Sequence, residues 1–268
     1  MILFIKRITI IDFYAILQSC NISIDNLKSK CYTIIRKLKQ NVLQLYKTPK
    51  SCYNQEVLIM KIAVVCANGK AGQLIVKEAV DRGLDVTAFV RGENKSAAQN
   101  VIVKDLFDLT AADLADFDAV VDAFGAWTPE TLPQHSTSLA HLCDILSGTD
   151  TRLLVVGGAG SLYVNAEHTA CVSDGADFPE VFKPLASAMA KALGELRQRN
   201  DVKWTYISPT GDFQADGERS GKYILAGEEL TLNSKGESII SYADYAIAMV
   251  DEIEKGAHIR QRISVVRE

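Results

Sequence analysis

The stretch Lys61–Gly72, which reads KIAVVCANGKAG, decides the fold predicted for this chain of 268 residues. Residues 61–67 form a short apolar, β-rich run, which is typical of a buried parallel strand. A turn follows, and apolar residues then recur at helical spacing in QLIVKEAVDR, before a glycine that ends the helix. The run DVTAFVR at residues 85–91 adds a second strand. Together these pieces form a strand–helix–strand unit of about 30 residues, the context that a dinucleotide-binding fingerprint requires.

The turn that contains Gly69 and Gly72 has the chemistry of a diphosphate site. A turn between strand and helix offers unpaired backbone N–H groups and the positive end of the helix dipole, and glycines allow a positive φ and close approach of the ligand. Cys66 stands where the first glycine of such turns is usual. Because cysteine is small, we expect it to be tolerated there if its φ stays negative. A turn that only packs helix on strand would show the same two glycines, so the prediction of a cofactor rests on the alternation that follows.

Strands and helices continue to alternate up to the C-terminus. The later elements predicted from apolar runs and helical spacing are strands at residues 100–105, 118–127, 152–160, 202–209 and 262–266, helices at 138–148 and 184–199, a small hairpin at 222–232, and a strand, an Asp244 cap and a helix within 237–256. This order predicts an α/β protein with a doubly wound parallel sheet, the NAD(P)-binding Rossmann fold.

The end of the second strand bears on the choice between NAD and NADP. NAD sites usually place Asp or Glu there, bonded to the ribose diol. Here the strand ends in Arg91, and the first carboxylate is Glu93. The planar guanidinium suits a 2′-phosphate, so we expect NADPH to be favoured over NADH. An exposed surface arginine would look the same in the sequence.

Residues 1–59 differ in composition from residues 60–268 and are interpreted as a separate N-terminal extension of the Rossmann domain. The first sixty residues carry nine Lys or Arg against three Asp or Glu, whereas the rest carry twenty against thirty, and all seventeen glycines lie in the rest. Three interpretations stay open: Met60 is the true start, the extension is disordered or a loosely docked helix, or a basic amphipathic helix at residues 25–46 contacts a membrane or a partner.

Bulk properties exclude several classes of protein. The net charge of −4 argues against a nucleic-acid surface. The six cysteines form no CxxC pair, so we expect no zinc or other metal site and no disulfide framework, which suits the cytoplasm. No run reaches the ~18 apolar residues of a membrane span. We therefore expect a cytoplasmic protein whose partner is a small-molecule acceptor, without direct contact to nucleic acid, and the sequence leaves a homodimer open.

From Met60 to the C-terminus the chain resembles the atypical short-chain dehydrogenase/reductases, the NAD(P)H-binding NmrA-like group, which includes proteins similar to the flavin reductase/biliverdin reductase B type. The stretches that carry the resemblance are CANGKAG, VTAFVRG, VIVKDLFDL, VVDAFGAW, LLVVGGAGSLY and WTYISP. They specify a cofactor-binding fold well and a substrate poorly.

The resemblance implies a set of cofactor contacts. The first turn would cradle the diphosphate, Arg91 would meet the 2′-phosphate, residues after the third strand would lie beside the adenine, and residues after the fourth to sixth strands would line the ribose and nicotinamide. In that order, the implied residues are Ala67, Asn68, Gly69, Lys70, Ala71 and Gly72, then Arg91, then Asp105 and Leu106, then Ala123, Phe124, Gly125, Gly157, Gly158 and Pro209, with Lys191 as a ribose contact.

The usual proton donor of the wider family is absent. Typical members use a tyrosine four residues before a lysine, helped by a serine at the end of the fifth strand. Lys191 matches the lysine, but Ser187 replaces the tyrosine, and Gly157 and Gly158 replace the serine. Carbonyl reduction and sugar-nucleotide epimerisation are therefore disfavoured, whereas hydride transfer to an acceptor that takes its proton from water stays open.

The loop that follows the fifth strand contains three candidate substitutes for that donor. Ser161, Tyr163 and His168 follow the strand on a loop, where substrate pockets of open α/β sheets lie. Each of them could instead pack, cap or lie on the surface, and Lys191 could be a solvated helix residue. Irregular loops at residues 127–133 and 164–182 could form the walls of a pocket for a flat acceptor.

The sequence thus predicts an NADPH-dependent oxidoreductase that passes a hydride to a flavin, quinone or similar conjugated acceptor. The alternative is a non-catalytic NAD(P)-binding redox sensor that acts through a protein partner, because loss of the tyrosine and serine suits both. The composition after residue 60 is acidic and shows no basic recognition helix, which argues against a sensor that binds DNA directly.

Overall fold

The computed structural model of the chain describes residues 59–268. Residues 1–58, and with them the predicted basic helix, lie outside the described residues. The interpretations of the N-terminal extension and the domain boundary after residue 59 therefore stay predictions.

The first strand–helix–strand unit forms as the sequence predicts. Strand β1 spans Lys61–Val65, helix α1 spans Lys70–Asp81, and strand β2 spans Asp85–Val90 and pairs with β1 in parallel. Helix α1 buries one stripe with the spacing of a helical face, formed by Gly72, Ile75, Val76 and Ala79. The stripe packs α1 against the sheet and fixes the turn that precedes it.

The remaining elements complete a mostly parallel sheet with helices on both faces. Their bounds are β3 Asn100–Val103, α2 Ala111–Leu114, β4 Ala119–Asp122, α3 Gln134–Leu146, β5 Arg152–Val156, α4 Lys183–Leu196, β6 Lys203–Pro209, β7 Asp212–Gln214, β8 Tyr223–Ala226, β9 Ile239–Ser241, α5 Tyr242–Lys255 and β10 Gln261–Arg267. The main sheet has the order β3-β2-β1-β4-β5-β6-β10-β8, and β7 pairs with β9 in a separate small sheet. The predicted doubly wound α/β fold is confirmed.

Each face of the sheet has its own core. Ile62 and Val64 of β1 belong to the core on the side of α1 and α5, and Ala63 and Val65 belong to the core beneath α3 and α4. Because successive side chains of a strand point to opposite faces, a strand buried on both faces is apolar at nearly every position. This is why the strands are continuous apolar runs in the sequence.

The strand order reverses between β1 and β4. The chain runs outward from β1 to β2 and β3, and then returns to place β4 on the other side of β1. Loops that leave the carboxyl ends of β1 and β4 therefore diverge and open a crevice, which is where ligands bind in sheets of this kind.

The hairpin predicted at residues 222–232 is wrong. Only Tyr223–Ala226 is a strand there, and it pairs antiparallel with β10, with Leu225 opposite Val265. The second half of the segment instead forms two backbone hydrogen bonds with Tyr163. The Tyr163 N–H donates to the Glu228 carbonyl at 3.0 Å, and the Leu230 N–H donates to the Tyr163 carbonyl at 2.8 Å. An isolated two-stranded hairpin is marginally stable, whereas the open edge of β10 lets the segment join a large sheet.

The cap predicted at Asp244 is also wrong. Ser241 is the N-cap of α5, and its hydroxyl accepts from the Asp244 N–H at 3.0 Å. The fully buried Asp244 carboxylate accepts instead from the backbone N–H groups of Ser220 and Gly221 and from the Ser220 hydroxyl. Asp244 therefore ties the loop before β8 to the start of α5.

Cys66 does not meet the condition of a negative φ under which the sequence analysis expects it to be tolerated. Cys66 has a φ of +59°, in the left-handed region that favours glycine. Gly72 is required for close packing, because a Cβ there would lie 2.9 Å from the Cys66 carbonyl oxygen and 3.0 Å from the Ala67 carbonyl oxygen. A left-handed backbone costs an L-residue roughly 1–2 kcal/mol. The turn thus keeps the glycine that the helix needs and carries strain at the position where Cys66 replaces glycine.

This strain predicts an order of stability for two variants. We expect Cys66→Gly to have a free energy of unfolding about 1 kcal/mol higher than Cys66→Ala, because both lose the thiol and only glycine relaxes the left-handed backbone. Denaturant unfolding of the two purified variants measures the difference. Cys66→Ala is the matched control, and equal unfolding midpoints for the two variants would contradict a strained turn.

Candidate functional site

A large cleft lies along the carboxyl ends of the central strands. Its volume is about 980 Å³, at the upper end of the ~300–1,000 Å³ typical of ligand pockets. The predicted cofactor residues that line it are Asn68, Gly69, Lys70, Ala71, Arg91, Asp105, Leu106, Ala123, Phe124, Gly125, Gly157, Gly158 and Pro209. Ala67 and Gly72 are buried directly behind the turn. The structure therefore brings together residues that lie up to about 140 positions apart in the chain.

The turn after β1 fits a diphosphate. Gly69 is the N-cap residue of α1, and no side chain caps the N–H groups of the first helical turn. Such uncapped N–H groups, together with the helix dipole, bind anions. A nicotinamide dinucleotide would place its pyrophosphate here, against Gly69, Lys70 and Ala71.

The Asn68 side chain connects this turn to the loop that carries Arg91. Its amide nitrogen donates to the Glu93 carbonyl at 2.8 Å, and its amide oxygen accepts from the Lys95 N–H at 2.7 Å. The Gln73 side chain in turn donates to the Asn68 backbone carbonyl at 2.8 Å. Asn68 was predicted only as a cofactor contact, and these bonds add a positioning role for its side chain.

One end of the cleft is basic. Lys70 and Arg91 are exposed, and within residues 59–268 neither side chain makes an ion pair or hydrogen bond with another residue. Lys104 pairs with Asp113 at 2.7 Å, and this contact lowers the pKa of that carboxyl to about 2. Asp105 accepts from the Phe107 N–H at 3.0 Å and so caps a short 3-10 turn. Lys70 and Arg91 are therefore free, among the described residues, to meet phosphate groups.

The other end of the cleft is apolar and aromatic. Trp127, Phe178 and Phe182 come from the loops after β4 and β5, as the sequence predicts for a flat acceptor. Phe213 and Tyr242 also line the cleft, and the centroids of their two rings are 3.9 Å apart. Sequence reasoning missed this last pair, because they meet only through the pairing of β7 with β9.

His135 was also missed and holds the wall of the cleft. Its Nε2 lies 3.1 Å from the Ala126 carbonyl oxygen, so that nitrogen is the donor. Its ring packs edge-on against Phe124 with centroids 5.5 Å apart. Burial lowers the pKa of His135, which keeps the ring neutral at pH 7. The histidine therefore positions the loop after β4 without adding charge.

The ring of Tyr206 explains the two glycines at the end of β5. A Cβ on Gly157 would lie 2.3 Å from a ring carbon of Tyr206, and the Gly158 N–H donates to the Tyr206 hydroxyl at 3.2 Å. A Cβ on Gly158 would meet the Met189 sulfur at 2.9 Å. The place of the family's serine is thus filled by side chains from β6 and α4.

Ser161 and Tyr163, the predicted substitute donors, lie outside the cleft. The Ser161 hydroxyl accepts from Arg262 at 3.0 Å. The Tyr163 ring is stacked on His168, with centroids 4.2 Å apart, and the Arg262 guanidinium lies 5.5 Å from the Tyr163 centroid. His168 also contacts the Glu229 carboxylate at 2.6 Å. These contacts hold the loop after β5 against β10 and against the residues that follow β8.

Lys191 also lies outside the cleft, which argues against the predicted ribose contact. Met189 faces the cleft, and two further residues along a helix turn the side chain by about 200°. Lys191 accordingly lies beside a separate cavity of about 350 Å³ between α3 and α4, with Glu195 at 3.7 Å.

Asp122, at the end of β4, is a buried carboxyl that the sequence analysis did not single out. Its carboxylate accepts from the Phe124 N–H at 3.0 Å, which fixes the backbone of the next loop. Burial raises the pKa of Asp122 to about 6. A single aspartate in an otherwise apolar strand is the sequence signal that could have identified it.

Residues 59–268 contain neither a candidate metal centre nor a candidate membrane-spanning helix. No group of three His, Cys, Asp or Glu side chains is placed to hold a metal ion. None of the helices in this range combines the length and the apolar character needed to cross a bilayer.

The sequence profile of a family described as NAD(P)H-binding matches residues 66–255. The chain belongs to this family. The match covers both sides of the cleft and confirms a nicotinamide cofactor and the resemblance to the atypical short-chain dehydrogenase/reductases.

Similar proteins support the same fold and carry different names. A Streptococcus pneumoniae TIGR4 protein described as a candidate NADH-flavin reductase is 59% identical, with a TM-score of 0.77, and the match covers 78% of this chain and all of that one. YwnB of Bacillus subtilis strain 168, described as uncharacterized, is 45% identical over 212 residues, which are 78% of this chain and 99% of YwnB. A candidate epimerase from Bacteroides thetaiotaomicron is 30% identical with a TM-score of 0.68, over 78% of this chain and 97% of that one.

The buried Asp122 predicts a pH-dependent stability. Its folded-state pKa of about 6 lies above the ordinary 3.8, so the residue favours folding while protonated, and this contribution is lost as pH rises from about 4 through about 6. We expect the free energy of unfolding of Asp122→Asn, relative to wild type, to increase by about 2 kcal/mol between pH 4 and pH 7. Denaturant unfolding of both proteins at each pH is the measurement, and a constant difference would contradict the burial of an ionisable group here.

Proposed function

We propose that the chain is an NADPH-dependent oxidoreductase that passes a hydride to a flavin, a quinone or a similar conjugated ring. The observation that carries the proposal is that charged and aromatic residues lie at different ends of the cleft. One end offers free cations for the phosphates of the cofactor, and the other offers aromatic walls, with the predicted catalytic residues outside it. An acceptor bound there has to take its proton from water, which conjugated rings can do.

Membership of the family supports the general class of activity. The chain is an NAD(P)H-dependent oxidoreductase of the atypical short-chain dehydrogenase/reductase type, as its sequence profile and its 59% identity to the S. pneumoniae protein support. The flavin named for that relative supports the class of acceptor proposed here.

Three features of the chain would hold the cofactor. The uncapped N-terminus of α1 would receive the pyrophosphate. Arg91, kept in place through the bonds of Asn68 to the same loop, would form charge-assisted hydrogen bonds with a 2′-phosphate. The backbone of Gly157 and Gly158, which lines the cleft, would lie beside the nicotinamide, which when bound supplies the hydride.

The residues at the acceptor end orient a ring and supply little proton chemistry. Trp127, Phe178 and Phe182 offer apolar faces on which a flat ring can stack. Burial raises the pKa of Tyr242 and lowers that of His135, so both are neutral at pH 7. Carbonyl reduction and epimerisation are disfavoured, because Ser161, Tyr163 and Lys191 do not reach the cleft.

The cytoplasmic location predicted from the sequence is also a proposal. Cys66, Cys143 and Cys171 form no disulfide among the described residues, which suits a reducing cytoplasm. We expect a small-molecule acceptor, and a homodimer stays open.

Turnover tests the proposed function directly. We expect the purified chain to oxidise NADPH when riboflavin, FMN or a soluble quinone is present, and to leave simple aldehydes and ketones unreduced, because Ser161, Tyr163 and Lys191 do not line the cleft. Absorbance at 340 nm under anaerobic conditions measures the rate. Tight NADPH binding without turnover of any conjugated acceptor would contradict the proposal and favour the redox sensor.

Arg91 predicts the preference for NADPH. We expect Arg91→Ala to weaken NADPH binding about tenfold or more and to change NADH binding less than about twofold, because a hydrogen bond to a charged group contributes about 1.5–3 kcal/mol. Arg91→Lys is the matched control: it keeps the charge, loses the planar fork, and should give an intermediate affinity. Titration calorimetry measures all three proteins, and equal losses for both cofactors would refute a 2′-phosphate contact.

A further inference from the structure

We propose that the acceptor half of the cleft selects an uncharged fused ring without a phosphate, so that among flavins it prefers riboflavin to FMN. This inference rests on the proposed function and names the substrate class of the same site. It follows from where the charged residues lie around the cleft.

All lysines and arginines that line the cleft lie on one side of the point where the strand order reverses. Lys70 follows β1, Arg91 follows β2 and Lys104 follows β3. On the other side, the loops after β4, β5 and β6 and the nearby parts of α3, α4 and α5 contribute no lysine or arginine to the lining. A phosphate of the acceptor would therefore find no cation among the described lining residues at its end.

The cations at the opposite end are not available to the acceptor. They adjoin the turn and the strand ends that would hold the pyrophosphate and the 2′-phosphate of the cofactor. Lys104 is in addition paired with Asp113. The positive charge of the cleft is thus used by the cofactor.

The loop beside the acceptor end is acidic. Residues 157–182, which run from the end of β5 to the start of α4, contain four carboxylates and no lysine or arginine; the carboxylates are Glu167, Asp174, Asp177 and Glu180. Asp177 is exposed and directly precedes Phe178, whose side chain lines the cleft. The next basic residue, Lys183, is paired with Glu180. With Lys183 included, the segment keeps a net charge of −3, so the loop that carries Phe178 is negatively charged.

This charge penalises a phosphorylated acceptor and leaves a neutral one unaffected. A phosphate monoester carries about −1.5 to −2 at pH 7. Each carboxylate about 10 Å away in water opposes it by roughly a factor of two in affinity. The exposed charges act over the Debye length of about 8–10 Å, so added salt removes most of the effect. Riboflavin and FMN differ only in this phosphate and share the same ring.

The inference is tested by comparing kcat/KM for the two flavins at saturating NADPH. We expect riboflavin to exceed FMN by about threefold or more at 20 mM salt, and the gap to close at 0.5 M salt because the FMN value rises. An FMN value equal to or above that of riboflavin at low salt would overturn the inference.

A charge-reversal variant locates the effect. We expect Asp177→Lys to raise kcat/KM for FMN about threefold and to leave the riboflavin value within about 1.5-fold, because the change adds two units of positive charge beside Phe178. Asp116→Lys is the matched control: Asp116 is an exposed carboxylate just before β4, at the amino ends of the strands, whereas the cleft lies at their carboxyl ends. Equal changes in the two variants would show that net charge alone acts and would overturn the assignment to this loop.

Failure of the inference and failure of the proposed function give different results. Turnover with a preference for FMN overturns the inference and leaves the oxidoreductase in place. If NADPH binds but neither flavin is reduced, the inference falls together with the flavin-reducing function.

Discussion

The close approach of α1 to β1 at Gly72 is the constraint on which the rest of the site depends. A side chain at this position would lie within about 3 Å of the backbone of residues 66 and 67, so the helix could not start where it does. The short turn that results aims the first N–H groups of α1 at the crevice, and it forces Cys66 into a left-handed conformation. The anion-binding geometry and the local strain therefore have one origin.

The cleft is organised by polar residues that fix loops rather than by catalytic groups. Asn68 holds the loop after β2, Asp122 holds the backbone after β4, and His135 holds the wall near Trp127. Each does so through hydrogen bonds to backbone groups, which place the loops accurately. This suits a reaction in which the cofactor brings the reactive hydride and the protein supplies orientation.

The packing at the end of β5 separates this chain from relatives that rely on a serine and a tyrosine. Tyr206 and Met189 occupy the space that a side chain at Gly157 or Gly158 would need, and the nearby Tyr163 is held between His168 and Arg262. The change is thus spread over β6, α4 and the loop after β5. The different names of the similar proteins are consistent with this, because one fold can host several chemistries.

Features that depend on neighbours along the chain could be predicted from the sequence alone. Continuous apolar runs and helical spacing identified the strands of the parallel sheet, the main helices and the phosphate turn, and the position of Arg91 directly after β2 made it a candidate cofactor contact. Four other features appear only in the folded chain: the left-handed Cys66, the pairing of β8 with β10, the burial of Asp122 and the direction in which Lys191 points. These features are set by contacts between segments far apart in sequence, and local periodicity carries no record of which edge, face or ring will meet a given residue.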